Sequence, residues 1–180
     1  MSTRGKLLSA TPSLLDDNFA HSVVFMLEHS DEGALGLVLN QPSELPALEL
    51  FPQWGTHATD PAQVFRGGPV SMSSVICLAV GSPDTPSSYF SITDDIGTVD
   101  LDGDPSTASQ LRGLRLFAGY ASWGPGQLEG ELAEDAWFVF DPEPDDVTTH
   151  RPEHLWWDVF ARQRGPVRRL ANYPADIWRN

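Results

Sequence analysis

The stretch GYASWGPGQLEGEL, Gly119 to Leu132, concentrates residue types from which active sites are built: glycines at 119, 124, 126 and 130, a proline, a tryptophan, a glutamine and two glutamates. Two chemistries are open to it. A carboxyl group buried among apolar side chains stays neutral near pH 7 and can serve as a general acid or base. That makes Glu129 the acid–base candidate, with Ser122 or His29 as its neighbour. A helix N-terminus after a glycine-rich turn also presents unpaired N–H groups to an anion. Against the second stand Glu129, Glu131, Glu134 and Asp135, whose charges weaken an anion site there. The structural alternative is a strand-to-helix turn. LRLFAGYA ends a strand, a helix begins near Pro125 with Gly124 as cap and Gln127 at its third position, and Trp123 fills the gap beside the glycines. The residue types favour this turn, with a ligand surface built on it from Gly67, Gly68, Trp123, Gln127 and Glu129, where RGGPV meets SWGPGQLE.

Other motifs carry less. HRPEH, His150 to His154, matches the H-x-x-E-H zinc pattern, but Pro152 belongs in a first helical turn and leaves His150 outside the helix. DLDGD, Asp100 to Asp104, has its glycine at the fourth place and a leucine at the twelfth, so it is no EF-hand loop; Asp104 before Pro105 reads as a helix cap. There is no G-x-S-x-G elbow, phosphate loop or dinucleotide fingerprint, and Lys6 is the sole lysine. Cys77 lies in the apolar run SVICLAV, where burial disfavours its thiolate. No metal and no cofactor is expected.

The formal charge of −14 opposes a nucleic-acid groove over the whole protein. Residues 1 to 150 hold 5 basic and 22 acidic side chains, a balance of −17, whereas residues 151 to 180 hold 6 and 3. Arg162, Arg164, Arg168 and Arg169 therefore either solvate a helix end or form a weak nucleic-acid or acidic-partner patch. No apolar run is long enough for a membrane span, the N-terminal stretch predicts no export signal, and one cysteine suits a reducing cytoplasm.

These residues must be positioned by surrounding elements. SVVFMLEH and ALGLVLN, apolar on both faces and separated by SDEG, predict a hairpin with layers above and below it. Glu28 and His29 close one of its strands and Asn40 the other, at opposite ends. KLLSA, QVFRGG, VSMSSVICLAVGS, SYFSIT, GTVDLDG, LRLFAGYA and AWFVF supply further strands; SELPALELF predicts a brief helix capped by Ser43. The final helix, PEHLWWDVFARQR, turns Leu155, Trp156, Val159 and Phe160 onto one face. Trp157 lies beside that face with Arg164, either half covered by PVRRLANYP or available as a partner anchor. The strands are mostly neighbours, so the chain predicts a single α+β domain over residues 1–180.

GKLLSATPSLLDDNFAHSVVFMLEHSDEGALGLVLNQP, VFRGGPVSMSSVICL and GYASWGPGQLEGEL, with LWWDVFARQRGPVRRLANYPADIWRN, are together similar to the AlgH/YqgE family of small bacterial proteins. The resemblance implies a mainly antiparallel, bifurcated, barrel-like sheet with short flanking helices. It also implies a transcriptional regulator of exopolysaccharide synthesis, though no settled reaction. The chain departs from the family at Ser122, where glycine is common, and in its DIW ending at Asp176 to Trp178. The resulting expectation is a cytoplasmic accessory or regulatory protein that binds a small ligand or a protein partner without catalysis. The alternatives are an enzyme using Glu129 and weak nucleic-acid binding through the C-terminal arginines.

Overall fold

The computed structural model describes residues 2–174; the DIW ending lies outside them. Ten strands form one sheet: β1 Leu7–Ala10, β2 Val23–Ser30, β3 Gly33–Val38, β4 Pro42–Pro46, β5 Gln63–Arg66, β6 Val70–Val80, β7 Tyr89–Ser91, β8 Ile96–Val99, β9 Gly113–Trp123 and β10 Trp137–Phe140. The main path runs β10-β1-β2-β3-β9-β6-β8-β7. β9 is the spine and the branch point. Its Ala121–Trp123 end pairs with β3, its middle pairs in parallel with β5, and its long edge pairs with β6. β4 pairs with β5 alone, so the sheet forks, and all pairings except β5 with β9 are antiparallel. The fold is a curled antiparallel half-barrel of one domain with short helices: α1 Ala47–Leu50, α2 Pro52–Gly55, α3 Gln127–Ala133, α4 Pro144–Val147 and α5 Leu155–Ala161.

The central hairpin forms as the apolar runs require. Because strand side chains alternate, Val23, Phe25 and Leu27 enter one core with Leu37 and Leu39, while Val24 and Met26 enter another with Val38. α5 covers the first core with Leu155, Trp156, Val159 and Phe160, all buried. Each such burial is worth about 1.5–3 kcal/mol against exposure. The Trp156 indole N–H also donates to the Ala10 carbonyl at 2.8 Å, tying α5 to β1. α3 covers the second core through Leu128, beside Trp123 and Trp137.

Two local expectations change. SELPALELF does not open as a capped helix: Pro42–Pro46 is strand β4, and the helical turn starts only at Ala47. Leu45 precedes proline and is pushed away from helical geometry, while the Ser43 hydroxyl donates to the Val64 carbonyl at 2.6 Å across the β4–β5 pair. PEHLWWDVFARQR divides into a 3-10 turn, Pro152–His154, followed by the shorter α5. Asp104 does cap a helix, accepting from the Ser106 N–H at 2.9 Å, but the helix is a 3-10 segment, Pro105–Gln110.

One polar residue lies deep in the spine. Arg115 is fully buried and its guanidinium stands 4.2 Å over the Phe65 ring. It donates to the carbonyls of Val147 at 2.9 Å and of Asp60 and Thr149 at 3.0 Å, binding two loops to β9. Burial lowers its pKa to about 10, so it stays charged at neutral pH.

Candidate functional site

The glycine junction is closed by its own backbone. A Cβ on Gly67 would stand 2.3 Å from the Gly119 carbonyl oxygen, and one on Gly68 would stand 2.1 Å from the Tyr120 carbonyl carbon. Gly67 takes part on both sides of the fork: its N–H donates to Ala118 at 2.9 Å and its carbonyl accepts from Val38 at 2.8 Å. Gly67 and Gly68 are therefore residues of close approach to β9. The glycine faces are filled by β9, while Gln127 and Glu129 are exposed on α3.

Beyond β9 the chain turns into α3. Gly126, left-handed at φ 74°, is the N-cap of α3 in place of the expected Gly124, and the helix starts at Gln127, whose Oε1 still reaches back to accept from the Gly124 N–H at 3.0 Å. The polar hub of this turn is Glu131, which sequence reasoning passed over. Its Oε2 accepts the indole N–H of Trp123 at 2.9 Å and that of Trp137 at 2.8 Å, while Oε1 accepts from Gln127 Nε2 at 3.1 Å. Phe19 closes the group, stacked on Trp123 and edge-on to Trp137. Trp123 is thus buried in the second core against Phe19 and Trp137, with its one polar atom satisfied. The spacing of Gln127 and Glu131, one helical turn apart, is the only local signal for this arrangement.

Glu129 points the other way. His29, with only 4% of its side chain exposed, lies 2.9 Å from the Glu129 carboxylate through Nε2; Glu129 is 51% exposed. The Thr3 backbone N–H donates to His29 Nδ1 at 3.0 Å, so that nitrogen is an acceptor and Nε2 carries the proton donated to Glu129. Both ring nitrogens are engaged. The hydrogen bond from His29 holds the Glu129 carboxyl below the ordinary carboxylate range, opposite to the raised value that general-acid work needs. Ser122 is an exposed β9 residue in register with Leu35.

The remaining candidates lie elsewhere. Trp157 stacks on the His21 ring, with centroids 5.6 Å apart, and donates its indole N–H to the Tyr173 carbonyl at 2.8 Å. The Pro166–Asn172 3-10 segment packs against α5, and the residues partly buried against the same core include Trp157, Val167 and Leu170. Arg162 is held in a two-pronged pair with Asp146 at 2.6 and 2.7 Å, whereas Arg164, Arg168 and Arg169 are exposed. His150 is exposed and Pro152 opens the turn after it, so HRPEH does not aim two imidazoles at one point. Burial pushes the Cys77 thiol up to about 12. Among the described residues no helix is long and apolar enough to cross a membrane.

The comparisons agree with this architecture. An AlgH-like family model matches residues 7–168. A UPF0301 protein of Streptomyces coelicolor is 45% identical, across 97% of this chain and 94% of its own. One from Mycobacterium tuberculosis is 40% identical, across 98% and 90%. A crystal structure of a Corynebacterium diphtheriae protein superimposes with a TM-score of 0.88 at 32% identity, covering 93% of this chain and 90% of that one. The solution structure of the AlgH protein from Pseudomonas aeruginosa gives 0.71 at 28%, covering 97% and 95%. With a forked half-barrel matched by solved relatives and sequence identity running nearly end to end, this chain belongs to the AlgH-like family.

Proposed function

We propose that this protein is a cytoplasmic accessory protein that acts by binding a protein partner and catalyses no reaction of its own. One observation carries the reading: the Gln127, Glu129, Glu131 and His29 side chains are engaged in hydrogen bonds within the chain. Glu131 is consumed by two indoles and Gln127, and His29 by Thr3 and Glu129. A proton relay needs a group with a free site, whereas both His29 ring nitrogens are engaged and the bond from His29 holds the Glu129 carboxyl below the ordinary carboxylate range. A regulatory effect on transcription, the role implied by the family resemblance, then reaches DNA through the partner. The acidic balance and the Arg162–Asp146 pair support that indirect route.

The exposed apolar side chains Leu45, Leu48 and Leu50, set among Glu44 and Glu49, are consistent with a protein contact. The test is turnover. Purified protein is assayed against nitrophenyl carboxylic and phosphoric esters alongside Glu129→Gln and His29→Gln. The reading expects all three to match the buffer rate. Turnover by the parent chain that vanishes in either variant overturns it.

A further inference from the structure

A cleft of about 530 Å³ opens beside β6, and no residue of the glycine-rich turn lines it. Leu27, Phe51, Val75, Ile76, Val99 and Leu101 give it an apolar lining, and the exposed Asp100 and Asp102 stand on its rim. Its origin is topological. β6 pairs with β9 at Val75 and Ile76, but on its other side β8 reaches only to Cys77, opposite Val99. The chain then turns away at Asp100, whose carboxylate accepts from the Asp102 N–H at 2.9 Å and whose carbonyl accepts from Gly103 at 3.1 Å. Where β8 leaves, no strand of the described residues lies beside the Val75–Ile76 edge of β6, and the cleft occupies that place. An open strand edge next to an apolar cleft is the geometry of strand addition, in which main-chain bonds supply affinity and pockets select side chains.

We propose that this edge and cleft bind an extended segment of a partner protein. The segment adds antiparallel to β6 along Val75–Ile76, seats an aliphatic or aromatic side chain against Phe51 and Leu101, and sets lysine or arginine against Asp100 and Asp102. The inference rests on the binding reading above and names the partner's chemistry. A polypeptide fits better than a small molecule for two reasons. The open backbone edge asks for N–H and C=O partners in strand register. Two further apolar side chains, Leu50 and Leu48, lie exposed within three residues of Phe51 in the chain. A basic segment is favoured over an acidic one by the rim and by the −14 charge of the chain, which steers cations toward it.

The test uses the full chain, isotope-labelled, titrated with the capped peptide Lys-Val-Phe-Val-Lys. Three controls accompany it: the Glu-flanked counterpart, the same basic peptide N-methylated on alternate amides, and hexylammonium chloride. Amide shifts confined to Val75, Ile76 and residues 99–102, seen with the basic peptide and lost on N-methylation, are expected. The Asp100→Asn/Asp102→Asn double variant keeps the turn acceptors and should weaken binding by about two- to thirtyfold, the range for two exposed ion pairs. Equal binding of the Glu-flanked or N-methylated peptide, equal binding of hexylammonium, or no shift at these amides would overturn the proposal. So would a concentration-dependent dimer that protects the same amides, which would give the edge to a second copy. Failure here leaves the turnover test untouched, so the two readings fall separately.

Discussion

Replacing Glu131 by alanine tests the packing logic of the glycine-rich turn most directly. The substitution removes the shared acceptor of two indole N–H groups, those of Trp123 and Trp137, each on a side chain only 5% exposed. A hydrogen bond to a charged group is worth about 1.5–3 kcal/mol, and a buried donor left without a partner costs about 1–3 kcal/mol. The third bond, from the exposed Gln127, adds little. Glu131 is half-buried, so water reaches part of the vacated space and the lower end applies, about 3 kcal/mol in all. For a chain of this length that lowers Tm by about 6–12 °C. Thermal unfolding followed by near-ultraviolet circular dichroism reads the loss, and a red-shifted tryptophan emission reads the wetting of the indoles. Glu131→Gln, which keeps one carbonyl oxygen, should lose less than half as much. In a Trp123→Phe/Trp137→Phe background the donors are gone, and Glu131→Ala should then cost less than about 1 kcal/mol. A loss below about 1 kcal/mol in the parent chain, or an equal loss in both backgrounds, would refute the claim that Glu131 pins α3 to the sheet.

Two further predictions concern the fold. Gly68→Ala forces a methyl group against the Tyr120 backbone and should cost more than about 3 kcal/mol or prevent soluble expression. Gly130→Ala meets nothing within 4 Å in α3 and should raise stability by about 0.5–1 kcal/mol; paired denaturant midpoints read both, and equal effects would count against close approach as the role of Gly68. His21 packs among Trp156, Trp157 and Tyr173, and desolvation lowers its pKa, so the folded state favours the neutral ring. As pH falls below about 6.5 the unfolded chain takes up its proton first. Tm should therefore decline from pH 7.5 to 5.5 more steeply in the parent chain than in His21→Gln, and parallel profiles would remove His21 from the account.

Much of the scaffold was legible before any coordinates. The two apolar runs of the central hairpin, the buried face of α5, the Asp104 cap and the Gln127 reach-back follow from periodicity and local hydrogen bonding, which act over a few residues and leave their mark in order along the chain. The similarity to AlgH-like proteins rested on blocks spread over nearly the full length and held for the same reason. Local signals misled at SELPALELF, where helical spacing was overruled by Pro46 and by pairing with β5. What only the tertiary structure decided was which distant residues meet. Gly68 abuts Tyr120, His29 reaches Glu129 a hundred positions away, and Glu131 gathers tryptophans from two strands. Those encounters depend on β9 branching to three neighbours. Strand order and register are set by the summed burial of the whole sheet, and a single stretch of residues carries no record of that sum.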